Sequence, residues 1–152
     1  MTAVTRSVSS ELAMEELGRE LAGRLPAGTR VYLNGPLGAG KTTLVRGMLR
    51  ALGHRGAVKS PTFTLVEPYQ LGERTVYHFD LYRLQDAEEL EFLGVRDYLA
   101  GEAICIVEWA EKANGVLPRP DVEVKILRSD SERTVELAAC SDRGAAVLKE
   151  LG

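Results

Sequence analysis

The sequence predicts an α/β fold, a three-layer domain built on a mixed, partly parallel sheet, and three observations predict it. First, a glycine-rich segment, Gly35-Pro36-Leu37-Gly38-Ala39-Gly40-Lys41-Thr42, joins the apolar strand Val31-Tyr32-Leu33 to a helix with an apolar stripe. Second, the run Ile104-Cys105-Ile106-Val107 is apolar at every position, as parallel strands covered on both faces are. Third, two alternating runs flank Ser129-Asp130-Ser131 near the end of the chain, which is a hairpin signal. With 152 residues, 45% of them hydrophobic, the chain suits one domain over residues 1–152 with a sizeable core.

The elements follow in order. Ser9 and Ser10 are candidate N-caps for a helix reaching about Leu25, and Met14, Leu17, Leu21 and Leu25 form its buried stripe. Pro26 and Gly28 stop it. A short strand over 30–34 runs into the glycine-rich loop. The next helix, from Thr43 onward, turns Leu44, Val45, Met48, Leu49 and Leu52 inward and ends at Gly53. Ser60-Pro61-Thr62-Phe63-Thr64 opens a loop into a strand at 65–69, and after the turn Leu71-Gly72-Glu73 residues 74–81 alternate as a second strand. Asp86 with Glu89 resembles a capping box for a helix over 87–92, with a further helical turn over 95–99. The buried strand 103–107, a turn-rich crossing at 114–120, strands 122–127 and 133–138, and a helix over about 142–151 complete the chain.

The loop fixes the chemistry. Its pattern, G-x-x-x-x-G-K-[ST], lets the backbone curl around an anion without a Cβ in the way, so that freed N–H groups and the positive end of the following helix face phosphates. Gly35, Leu37, Gly38, Ala39 and Gly40 form the cradle, Lys41 reaches the β- and γ-phosphates, and the Thr42 hydroxyl ligates Mg²⁺. A bound nucleoside triphosphate with magnesium is therefore expected. The metal also needs a carboxylate at the C-terminal end of a neighbouring strand. Glu108 ends one apolar strand and Asp80 another. Magnesium takes one or two carboxylates and keeps several waters, so one acid can hold the ion while the other orients water. Thr62 lies about twenty residues after Lys41, where nucleotide switches place a γ-phosphate sensor. Trp109, the one tryptophan, is either a core anchor or a partner-facing residue beside the site.

Other classes are disfavoured. Net charge is −3, from 22 acidic and 19 basic residues, unlike a general nucleic-acid binder. Arg46, Arg50, His54, Arg55 and Lys59 make a local basic exception, read either as a solvated helix face or as a contact with RNA or an acidic partner. Cys105 and Cys140 have no metal-ligand spacing, and Cys105 reads as a core residue. His54 and His78 are too few and too far apart for zinc. No leader and no apolar run of roughly 20 residues is present, so a cytoplasmic protein without a membrane segment is expected. There is no Asn-Lys-x-Asp for guanine. A small P-loop kinase and a nucleotide-gated binding module remain as rivals to an ATPase, though the chain has little spare length for a kinase's acceptor site and lid.

The phosphate loop, Ser60-Pro61-Thr62-Phe63-Thr64-Leu65-Val66, His78-Phe79-Asp80-Leu81-Tyr82-Arg83 and Val107-Glu108-Trp109 occur together in this order and spacing. Over roughly residues 10 to 138 the chain thereby resembles the TsaE (YjeE) family, the ATPase subunit of the bacterial machinery that makes threonylcarbamoyladenosine in tRNA. The resemblance implies a P-loop NTPase-like domain with weak ATPase activity alone, working with the threonylcarbamoyl-transferase subunits; tRNA would be met indirectly or through the Arg46/Arg50 face. It implies that residues 37–42 cradle the phosphates of ATP with Thr43 nearby, that Thr42 and Glu108 ligate Mg²⁺, and that Asp80 is the catalytic or water-orienting carboxylate. It makes the Thr62 segment switch-like, and it places adenine near Glu11 and Arg133.

Overall fold

Seven strands form one sheet: β1 (Ala3–Val8), β2 (Arg30–Asn34), β3 (Val66–Leu71), β4 (Arg74–Asp80), β5 (Ile104–Glu108), β6 (Val122–Ser129) and β7 (Glu132–Ala139), in the order β1-β7-β6-β2-β5-β4-β3. The computed structural model describes residues 2–151 apart from Arg24, Leu37, Lys59, Ser60, Thr62, Phe63 and Asn114. The four central strands β6, β2, β5 and β4 are parallel, and antiparallel pairs β6·β7, β7·β1 and β4·β3 extend both margins. The mixed, partly parallel sheet expected from the sequence is therefore the one found.

Strand periodicity divides the core in two. Val31 and Leu33 of β2 and Ile104 and Ile106 of β5 face α1 (Glu11–Ala22), α2 (Lys41–Ala51) and α5 (Asp142–Leu151). Tyr32, Cys105 and Val107 point the other way, against α3 (Glu88–Leu93) and α4 (Val95–Ala100), where Leu90, Val95 and Leu99 are buried. Helices on both faces of a parallel centre give the three layers. Every residue of β5 is buried, which explains its unbroken apolar run. Within it the Cys105 thiol is pushed up to about 12 by burial and packs as a hydrophobe.

α1 begins where its cap was expected: the Ser10 hydroxyl accepts from the Ala13 N–H at 3.0 Å. It ends at Ala22, short of Leu25, although Leu25 is still buried. α1 and α2 cross very closely. A Cβ on Gly18 would lie 2.2 Å from the Leu44 carbonyl oxygen, and one on Gly47 would lie 2.0 Å from that of Glu15. Only glycine permits this approach.

Two boundaries differ from the sequence expectation in ways that matter. α2 starts at Lys41, two residues early, which puts Lys41 and Thr42 in its first turn. β1 was not anticipated; Ala3-Val4-Thr5-Arg6-Ser7-Val8 carries few apolar residues, and it is held as an edge by pairing with β7. No helix among the described residues is long and apolar enough to cross a membrane.

Candidate nucleotide site

Three parallel neighbours, β2, β5 and β4, end at the same edge of the sheet, and the chemistry collects there. β2 releases the chain into the phosphate loop at Gly35. Gly40, the N-cap of α2, has φ 111°, a conformation that only glycine adopts readily. The start of α2 therefore presents backbone N–H groups with no side-chain cap to occupy them.

A cavity of about 500 Å³ opens beside this helix start, lined by Gly38, Ala39, Gly40, Lys41, Thr42 and Thr43 from the loop and helix. Asp80 and Glu108 line it from the strand ends, Glu11 from α1, and Tyr82, Arg83 and Trp109 from the segments just beyond β4 and β5. Asp80 and Glu108 are register partners, so the two carboxylates stand side by side. Most of the residues expected at the site thus meet in one cavity. Arg133 is adjacent, donating to the Gly38 carbonyl at 3.1 Å from the β6–β7 hairpin. Leu37 and Thr62 lie outside the described residues.

Electrostatics in the cavity are strained by burial. Lys41 is 5% exposed, and desolvation lowers its pKa below the usual ammonium value, opposed by the charges of Glu108, Glu111 and Asp80. Its ammonium donates to the Gly35 carbonyl and, at 3.0 Å, to that of Pro36, and it lies 4.2 Å from the centre of the Trp109 ring. Asp80 is pushed the other way: burial raises its pKa, and the neighbouring Glu108 charge adds to this. The Tyr82 N–H, 3.1 Å from Asp80 Oδ1, works against the rise by stabilising the anion.

Trp109 directly follows β5 with φ 62°, a left-handed conformation that costs a non-glycine residue about 1–2 kcal/mol. The turn brings the indole against Tyr82, ring centres 5.1 Å apart, and against Lys41. Trp109 thus lines the cavity, as expected, while packing partly buried against the core on the α3–α4 side of the sheet. Sequence reading gave no role to Tyr82, Arg83 or the buried His78; the last was detectable, because Val76, His78 and Asp80 alternate onto one strand face. The basic face on α2 is tied to its own fold: Arg46 lies 3.9 Å from Glu15, and Arg50 donates to the His54 and Gly56 carbonyls.

Comparison with known proteins agrees with this fold. The family model described as "Threonylcarbamoyl adenosine biosynthesis protein TsaE" matches residues 8–135. The tRNA threonylcarbamoyladenosine biosynthesis protein TsaE of Haemophilus influenzae is 48% identical, with 97% of each chain covered. That of Bacillus subtilis is 39% identical over 82% of this chain and 78% of its own. The crystal structure of YdiB from Bacillus subtilis superposes with a TM-score of 0.86 at 28% identity, covering 99% of this chain and 94% of that one. With its loop, paired strand-end carboxylates and full-length likeness to these relatives, the chain belongs to the TsaE family.

Proposed function

We propose that this protein is a Mg²⁺-dependent ATPase of the cytoplasm that serves the formation of threonylcarbamoyladenosine in tRNA, acting with the threonylcarbamoyl-transferase subunits. One observation carries the reading: the phosphate loop, Lys41, Thr42, Asp80 and Glu108 line the same cavity. The tRNA role is taken from the names of its relatives.

The residues fit a magnesium–nucleotide pair. Asp80 and Glu108, side by side, line the cavity together with Thr42 at the helix start. Magnesium takes one or two carboxylates and keeps several waters. Thr42 and Glu108 would hold it. When bound, the ion would supply positive charge against the negative charge that develops on the phosphates. Lys41 and the loop amides stabilise the same charge. Asp80 orients the attacking water through its carboxylate, and the proton affinity that burial gives it suits proton uptake. Glu11 and Arg133, flanking the loop, are assigned to the nucleoside end. Thr62 is assigned to sensing the γ-phosphate.

The test is phosphate release by the chain alone, then with the transferase subunits and tRNA. Slow release alone and strong stimulation in the full mixture are expected. No release in any mixture contradicts an ATPase.

One contact favours a second reading, a nucleotide-gated docking module in which hydrolysis is incidental. Lys41 joins the phosphate loop to the Trp109 ring, so a change at the loop reaches a partly exposed aromatic pair, Trp109 and Tyr82. ATP-dependent docking that persists in Asp80→Asn, together with undiminished tRNA modification, decides for it; weaker modification decides for hydrolysis.

A further inference from the structure

Behind the cavity lies a polar contact with no role so far. His78 is fully buried on β4, two residues before Asp80 and on the same strand face. Its Nε2 is 2.6 Å from Oε2 of Glu108, which is itself only 3% exposed. An ionised carboxylate offers acceptors alone, so Nε2 carries the proton and donates. Nδ1 has no hydrogen-bond partner among the described residues. A buried imidazole with one idle nitrogen is a costly way to fill a space beside Ile106, its register partner, when a leucine would do. What the histidine adds is the bond to Glu108.

Glu108 needs such a restraint. It lines the same cavity as the Lys41 ammonium. An unrestrained carboxylate beside an ammonium in a poorly solvated site tends to pair with it, which would take both groups out of use.

We propose that His78 is a positioning residue: it pins one oxygen of Glu108 and keeps the rest of that carboxylate turned to the cavity for the cation. It sets metal affinity and touches neither nucleotide nor water. Outer partners of this kind typically govern metal affinity by about 10- to 100-fold. The inference rests on the reading of Glu108 as a cation ligand.

The test uses Mn²⁺ as a spectroscopic probe with ATP, and ATP alone in chelator, on the full chain. In His78→Leu, manganese affinity in the presence of ATP is expected to fall about 10- to 100-fold, while ATP affinity in chelator stays at the wild-type value. His78→Gln, whose amide nitrogen reaches the same place, is expected to recover much of the loss. Unaltered manganese affinity in His78→Leu overturns the proposal, as does an equal loss of metal-free ATP binding, the sign of a merely structural role. Absence of manganese binding by the wild type overturns the cation reading of Glu108 and this inference with it. Should His78→Leu fail to fold, nitrogen-15 NMR of the wild type decides, since the chain has only two histidines. A protonated Nε2 whose resonance shifts in Glu108→Gln is expected; a bare Nε2 refutes the contact.

Discussion

Asp80 shows at residue scale how burial and function pull against each other. Its carboxyl holds a proton more tightly in the folded chain than at the ordinary value of 3.8, chiefly because it is desolvated. Between that value and the raised one the native state binds more protons than the unfolded chain, so stability falls as pH rises through the window. Above it, the native protein carries the cost of a buried anion. Asp80→Asn removes that cost and keeps an acceptor for the Tyr82 N–H. The variant is expected to melt higher than wild type near neutral pH, with the gap closing as pH falls towards 3.8, and to hydrolyse no ATP. Melting curves that stay parallel at all pH values contradict this. At this scale the sequence was most informative where chemistry is local. Lys41, Thr42 and the glycines could be read directly because a contiguous pattern carries them. The contact of Arg133 with the Gly38 carbonyl could not, since it joins residues 95 positions apart in the chain.

At the scale of elements, the sharpest constraint is the α1–α2 crossing. Gly18 and Gly47 let the two backbones touch, and α2 carries Lys41 and Thr42 at its start. Gly47→Ala places a methyl where the Glu15 carbonyl now sits, and neither helix backbone can yield locally. A loss of about 3 kcal/mol in chemical denaturation is expected, at the upper end for overpacking, with weaker nucleotide binding as α2 shifts. Wild-type stability in that variant would mean the helices are not packed this closely. Helices and buried strands were legible because apolar periods of 3.6 and the unbroken run at Ile104–Val107 are strong signals. β1 was not. Its alternation, with Val4 and Val8 among Thr, Arg and Ser, becomes a strand only because β7 offers an open edge. Pro68 within β3 is tolerated for a related reason, since β3 is the outermost strand on its side.

At the scale of the molecule, strand order does the assembling. Placing β2 next to β5 and β5 next to β4, all parallel, brings a loop at 35–42, a carboxylate at 80 and another at 108 to one edge. The sequence named these residues, but their adjacency is a property of the sheet. The same order leaves β1 as one margin of the sheet, its last residue Val8 paired with Arg133, which reaches the Gly38 carbonyl of the loop. Magnesium–ATP held in this cavity is the claim on which the functional reading depends. Calorimetric titration of ATP into wild type and Lys41→Ala, with and without Mg²⁺, tests it most directly. Binding strengthened by Mg²⁺ in the wild type and about 10- to 100-fold weaker in Lys41→Ala is expected, the loss of one charge-assisted grip. Equal affinity in the two proteins, or wild-type binding indifferent to Mg²⁺, contradicts it.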